Sequence, residues 1–252
     1  MVVWFKLRNK TIEHNRLEHT TMKMKSIAKV SLVLGILATG VNTTTEQPVH
    51  AEKKPIVISE NSKKLKSYYT QPSTEYKNTT GYISSIQPDI KFMNIIQNNT
   101  VNNLALVGKD KQHYHAGVHR NLNIFYVAED KNFNGGKYSI GGITKASDKA
   151  VDQIAEARVI KEDHTGEYDY DFFPFKVDKE DMSLKEIDFK VRKYLIENYG
   201  LYGEMSSGSI IVQTKNYGRY TFELDKKLQE DRMSDIIDAT SIERIEVKVV
   251  KA

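Results

Sequence analysis

One segment constrains the fold more than any other: Lys179 to Tyr202, which reads KEDMSLKEIDFKVRKYLIENYGLY. Leu184, Ile187, Val191 and Leu195, joined by Tyr194, recur at steps of three and four residues. That rhythm lays an apolar stripe along one side of a helix. Ser183 stands where an N-cap belongs, Glu186 follows three residues later in the pattern of a capping box, and Gly200 supplies a stop. The spacing predicts a helix from Leu184 to Asn198. Its apolar side has to be covered, and most of the remaining chain offers strands to cover it.

From Tyr76 to about Val159 the runs YKNTTGYISSIQ, IKFMNII, NNLALVGKD, LNIFYVAED and KYSIGGIT are β-branched and aromatic, and are separated by Asn, Gly and Asp turns. Five or so short strands with little helix between them predict a small closed barrel, of which the five-stranded OB type fits best. A polar arm from Glu52 to Lys66, with one apolar island at Ile56-Val57-Ile58, leads into it through a short helix around Ser62 to Tyr69. Beyond the barrel, Ala155 to Lys161 reads as a strand and HTGEYDYDFFPF as an acidic, aromatic connection into another. After the long helix come GSIIVQTK, RYTFELD, a short helical stretch from Lys226 to Ile237, and the terminal strand RIEVKVV. A helix lying across a mixed sheet of such strands is a β-grasp arrangement. The fold expected is mainly β with an α+β C-terminal part: residues 52–165 an OB-fold barrel, residues 166–252 a β-grasp domain.

Residues 1–51 read as an upstream extension and a signal peptide. Met22-Lys23-Met24-Lys25 supplies a positive start, Ile27 to Val41 is apolar but too short to span a bilayer, and Val49-His50-Ala51 ends in a small residue. The stretch before Met22 shows no helical or strand period. The mature chain then begins near Glu52, outside the cell, with no later apolar run long enough to cross a membrane. Cysteine is absent, so packed cores and not disulfides carry stability. A net charge of +4 and a pI near 8.9 favour acidic partners such as sialylated glycans and are too small to argue for nucleic acid.

The wording of the helix segment says more. Lys179, Met182, Glu186-Ile187-Asp188, Arg192, Leu195 and Leu201-Tyr202 resemble, in order and spacing, the long signature of staphylococcal and streptococcal superantigen toxins. A second marker is Ile140-Gly141-Gly142-Ile143-Thr144, where superantigens carry Tyr-Gly-Gly, an aliphatic residue and Thr, with Asn five places later. Here Ile140 replaces the Tyr and Lys149 the Asn, which argues against mitogenic activity but not against the fold. The glycine pair is expected to permit a tight turn and a close backbone approach between the domains. GLYGEMSSG and KYLIENYGLY are most similar to the superantigen-like (exotoxin-like) group, whose two-domain plan is an OB barrel packed on a β-grasp. The resemblance implies a secreted immune-evasion protein that is not an enzyme and needs no cofactor. It implies partners among sialylated host glycoproteins, innate receptors such as Toll-like receptor 2 and serum proteins, with no membrane insertion and with a homodimer as one assembly. The alternatives are a true superantigen bridging the T-cell receptor and class II histocompatibility molecules, or a protein–protein inhibitor of an innate receptor.

The sharpest site lies at Thr221, Glu223, Asp225, Lys226, Gln229 and Arg232. Thr221 and Glu223 share one face of a strand because side chains alternate. Asp225, Gln229 and Arg232 fall at three- and four-residue spacing, which would put them on one side of a following helix. Sialic acid offers a carboxylate for a guanidinium, and hydroxyls and an amide for the rest. The glycan-binding subset of the family has a Thr eleven residues before its Arg, as Thr221 stands before Arg232, and the resemblance assigns this stretch to sialyl-lactosamine and sialyl-Lewis X termini. The plainer reading is a solvated strand–turn corner. His113, His115 and His119 lack a cysteine or carboxylate to complete a zinc set. Glu167, Asp169 and Asp171 alternate with aromatics as a half-exposed strand does, without an EF-type loop. No nucleophile elbow, phosphate-cradling loop or thiol is present.

Overall fold

The computed structural model describes residues 58–84, 92–97, 100–133, 136–162, 168–203 and 205–251. The export-type segment, Ala51, Glu52 and Glu167 lie outside them. Among the described residues no helix is long and apolar enough to cross a membrane.

Helix α1 runs Glu60–Thr70, capped by Ser59, whose Oγ accepts from the Ser62 N–H at 3.1 Å. It leads into strands β1 (Ser73–Ile83), β2 (Phe92–Gln97) and β3 (Thr100–Ala105), a single-turn helix α2 (Asp110–His113), and strands β4 (Gly117–Val127), β5 (Asn132–Phe133), β6 (Gly136–Ile140) and β7 (Ile143–Lys145). The sheet order is β5-β6-β3-β2-β1-β4-β7. At one end β6 pairs parallel with β3; at the other β7 pairs antiparallel with β4. Only Gly141 and Gly142 separate β6 from β7, so the row of strands closes on itself at that pair. Gly141 N–H donates to Ala105 O at 3.0 Å and Phe125 N–H to Gly142 O at 2.9 Å. Both glycines hold a left-handed backbone, φ +55° and +85°, which lets one strand switch neighbours within two residues. Ile83, Met93, Ile95, Leu104, Leu122, Ile124 and Ile143 fill the interior of this OB barrel.

The second half contains β8 (Gln153–Glu162), β9 (Tyr168–Val177), β10 (Asp181–Ser183), helix α3 (Leu184–Tyr199), β11 (Met205–Thr214), β12 (Arg219–Glu223), β13 (Ile236–Asp238) and β14 (Ile242–Lys251). Its main sheet runs β12-β11-β14-β8-β9, with β14 and β8 parallel and the other pairs antiparallel. Helix α3 lies across it as a β-grasp helix, burying Leu184, Ile187, Val191 and Leu195 in one core with Val159, Phe173, Ile210, Val212, Ile245 and Val247. Each such side chain contributes roughly 1.5–3 kcal/mol. Tyr194, at the edge of the stripe, stacks on Phe173 with ring centroids 4.2 Å apart.

The helix ends are as the spacing predicts: Ser183 Oγ accepts from Glu186 N–H at 3.2 Å, and Gly200 takes φ 67°. Only half of the capping box forms. The Glu186 carboxylate is drawn instead to Lys179 and Lys190, at 2.6 and 2.7 Å, because charged partners outbid a backbone N–H. We place the division between the domains ahead of β8, between Lys145 and Gln153, and not at residue 165. A break at 165 would fall between β8 and β9, which pair from Gln153 to Glu162.

The helix expected over Lys226 to Ile237 is a correction. Leu224 to Lys226 form a turn, 227–229 have no regular structure, Glu230–Ser234 is a 3-10 helix and Ile236–Asp238 is β13. Tertiary bonds claim backbone inside that stretch: Leu228 N–H donates to Tyr69 OH, Asp235 O accepts from Leu184 N–H, and Met233 O accepts from Gly142 N–H, all across the fold. That last bond docks the 3-10 turn on the glycine pair, where a Cβ on Gly141 would meet the Met233 backbone at 2.9 Å. The close approach expected of these glycines is therefore seen. Lys185, fully buried beside them, donates to Ser139 Oγ at 2.5 Å and Ile140 O at 2.7 Å, and burial draws its pKa down to about 7.

Candidate functional site

Strand β12 is an edge of its sheet, and alternation decides what it shows. Phe222 faces the core while Arg219, Thr221 and Glu223 face outward. Arg232, in the 3-10 turn, reaches back to this edge: Nη1 donates to Thr221 O at 2.9 Å and to Gln229 Oε1 at 3.2 Å, and the guanidinium stands 5.4 Å from the Phe222 ring centroid. Thr221, Gln229 and Arg232 are thus brought together. Among the described residues, Nε and Nη2 of Arg232 make no hydrogen bond, which leaves donors for an incoming carboxylate.

Glu223 and Lys226 form a second pair, each partner shifting the other in the usual sense: the hydrogen bond to Lys226 holds the Glu223 carboxyl below its ordinary range, and Glu223 holds Lys226 above. Asp225 does not share a helix side with Gln229 and Arg232, because it sits in the turn; its carbonyl accepts from Asn61 Nδ2 of α1 at 2.8 Å. Five of the six residues form two small constellations, and Asp225 lies in the turn that joins them.

Beneath them lies a polar network that spacing alone did not reveal. Arg192 is buried; its Nε donates to Asp188 Oδ1 at 2.7 Å, Nη1 to Tyr202 OH at 2.5 Å and Leu224 O at 3.1 Å, and Nη2 to Glu223 O at 2.9 Å. Asp188 Oδ2 accepts from Tyr69 OH of α1 at 2.6 Å. Burial works against the Arg192 charge, but the Asp188 carboxylate outweighs it and holds its pKa above the usual arginine value. Burial pushes the Tyr202 hydroxyl up to about 12. Asp188, Arg192 and Tyr202 are signature residues, so this part of the signature supports the β12 turn from within the core.

The remaining candidates disperse. His113 ends α2 and His119 lies in β4, with the Tyr114 ring edge-on to both; His119 Nε2–H donates to His115 O at 2.7 Å. Asp169 and Asp171 lie exposed on β9, and Asp171 accepts from Tyr199 OH at 2.7 Å. Glu75, Asp178 and Glu186 bring carboxylate oxygens within 4.8 Å of one another. Lys77, Lys179 and Lys190 already neutralise them at 2.6–2.9 Å.

A cleft of about 380 Å³ is lined by Lys109, Asp110, His113, Tyr114, Lys145, Asp181, Ser234 and Ile236. Burial, then the Asp235 charge, raises Asp110 from 3.8 to about 7. Since folding raises this pKa, the stability it contributes is full below 3.8 and is lost as pH climbs to about 7. Asp110→Asn is expected to raise stability at pH 8 by about 2 kcal/mol, half of the roughly 4 kcal/mol such a shift represents, and to bring no gain at pH 3.5. Thermal melts at both pH values check it; an equal effect at both would refute the assignment.

Comparisons with known proteins bear on this geometry. The family model described as the staphylococcal superantigen-like OB-fold domain matches residues 63–147, and that described as the staphylococcal/streptococcal toxin beta-grasp domain matches 155–249. Staphylococcal superantigen-like 4 of Staphylococcus aureus (strain Newman) is 50% identical over 195 residues, covering 77% of this chain. The chain spans 63% of the length of that relative. Staphylococcal superantigen-like 5 of the same strain is 40% identical over 235 residues, covering 90% of this chain and 100% of that protein. The crystal structure of superantigen-like protein 4 matches with TM-score 0.73 over 77% of this chain and 100% of that one. A superantigen-like protein from Staphylococcus aureus in complex with sialyl-Lewis X is 36% identical, with TM-score 0.70 over 75% and 98%. Another, in complex with 3-N-acetylneuraminyl-N-acetyllactosamine, is also 36% identical, with TM-score 0.69 over 77% and 100%.

Proposed function

We propose that this chain, which belongs to the staphylococcal superantigen-like family, is a secreted immune-evasion protein that binds terminal sialic acid on host glycoproteins through Thr221, Glu223, Asp225, Lys226, Gln229 and Arg232. The observation that carries the reading is Arg232, anchored through one nitrogen on the Thr221 carbonyl with the rest of its fork uncommitted. Two of its structural neighbours were crystallised with sialylated glycans, which supports the same ligand class here. A planar guanidinium donates two parallel bonds to the sugar carboxylate, and Thr221, Gln229 and the Glu223–Lys226 pair supply hydroxyl, amide and charged partners for the rest.

Loss of a charge-assisted bond costs about 1.5–3 kcal/mol, so Arg232→Ala is expected to weaken binding to immobilised sialyl-Lewis X at least tenfold while the protein stays folded by circular dichroism. Protein for the assay is recovered from culture supernatant, with an N-terminus near Glu52 by mass spectrometry. A wild type that ignores the sugar, or a folded Arg232→Ala that binds equally well, would sink the site; recovery only from cells would sink secretion.

One observation favours a protein partner as a second reading. Tyr168, Tyr170 and Phe172 project from the edge strand β9, each more than half exposed. Capture of an innate-receptor ectodomain that survives sialidase and is lost in Tyr170→Ser would assign activity to this strand; capture lost with sialidase would not.

A further inference from the structure

We propose that helix α1 is a working part of the glycan site: Asn61 and Tyr69, with Arg192 and Tyr202 behind them, hold the turn after β12 in the shape that presents Lys226, Gln229 and Arg232 to the sugar. The inference rests on the glycan reading above. After Glu223 the chain leaves the sheet, and it enters no regular element until Glu230. Over that interval its main-chain groups are taken up one after another by side chains. Glu223 O accepts from Arg192 Nη2 at 2.9 Å, and Leu224 O from Arg192 Nη1 at 3.1 Å and Tyr202 OH at 2.9 Å. Asp225 O accepts from Asn61 Nδ2 at 2.8 Å, and Leu228 N–H donates to Tyr69 OH at 3.4 Å. Lys227 Nζ bonds Glu129 at 2.6 Å and stands 3.8 Å from the centroid of the Tyr68 ring.

Helix α1 thus supplies Asn61, Tyr68 and Tyr69 to a turn more than 150 residues away in sequence. A turn that is ordered before the ligand arrives loses no conformational freedom on binding, whereas a free one gives up that entropy each time. The clasp also sets where Lys226 meets Glu223. Of its members Asn61 is exposed, so it can be altered without opening the core.

The test compares wild type, Asn61→Ala, Asn61→Asp and Arg232→Ala for affinity to sialyl-Lewis X and for amide hydrogen exchange. Asn61→Ala is expected to weaken binding about fivefold, the equivalent of one hydrogen bond. Exchange should quicken over residues 224–229 and stay unchanged in α3 and β11. Asn61→Asp keeps the shape but turns a carboxylate toward the Asp225 carbonyl, and is expected to weaken binding at least as much. If wild type binds and Arg232→Ala does not, yet both Asn61 variants match wild type, the clasp is wrong and the glycan site stands. Exchange that rises throughout α3 and β11 would mean general loosening and overturn the clasp as well. A wild type that ignores the sugar removes both readings together.

Discussion

Arg192→Ala is expected to cost about 3–5 kcal/mol, a large part of the 5–15 kcal/mol that holds a typical domain folded. The variant leaves Asp188 as a buried carboxylate without its counter-charge, removes the side-chain donor to the Glu223 carbonyl, and leaves the Leu224 carbonyl with the Tyr202 hydroxyl alone. Asp188 would then pick up a proton or draw in water, and the Tyr69 hydroxyl would be its remaining close partner. Urea unfolding followed by circular dichroism measures the loss. The double variant Asp188→Leu/Arg192→Met removes both charges and should recover part of it, because the penalty arises from the unpaired ion and not from the missing bond. A single variant within 1 kcal/mol of wild type would show that the network is solvated in solution.

Gly142→Val should be as damaging for a different reason. The backbone there sits at φ +85°, and a Cβ would lie 2.7 Å from Phe125 O, the strand the barrel closes upon. A β-branched residue pays about 1–2 kcal/mol for the left-handed conformation, and more for a clash with backbone that has nowhere to move. The Gly142 N–H bond to Met233 O would be lost with it, so the barrel seam and the docking of the 3-10 turn should fail together. Gly200→Ala makes the control: φ is +67° but nothing lies within 4 Å of its Cβ, so about 1 kcal/mol is expected. Limited proteolysis and melting temperatures read the difference. Equal losses at the two glycines would mean that backbone strain alone, and not the seam, sets the cost.

Much of the fold was legible in the chain itself. Period and capping located α3 within a residue of its observed ends, and β-branched and aromatic runs between turn residues located most barrel strands and β11, β12 and β14, because these signals are local; KYSIGGIT, read as one run, is two strands, β6 and β7, because the left-handed Gly141-Gly142 pair breaks it. Thr221 and Glu223 were placed on one outward face by the same rule. The failure over Lys226 to Ile237 has the opposite origin. Three- and four-residue spacing is satisfied there, but Tyr69, Leu184 and Gly142 take backbone bonds, and all three are remote in sequence.

The contrast is sharpest within α3. Its apolar stripe was determined by sequence, since Leu184, Ile187, Val191 and Leu195 could only face a core. A polar helix side ordinarily faces solvent, where a pair four residues apart such as Asp188–Arg192 is worth a few tenths of a kcal/mol. The folded chain buries that side too, with Lys185, Glu186, Asp188 and Arg192 all inaccessible. Helix periodicity reports how many faces a helix can bury by hydrophobicity. It does not report that a second layer, here α1 and the barrel seam, covers the other face. Charges survive under such a layer only when each finds partners, and those partners are supplied by residues that only the tertiary fold brings near.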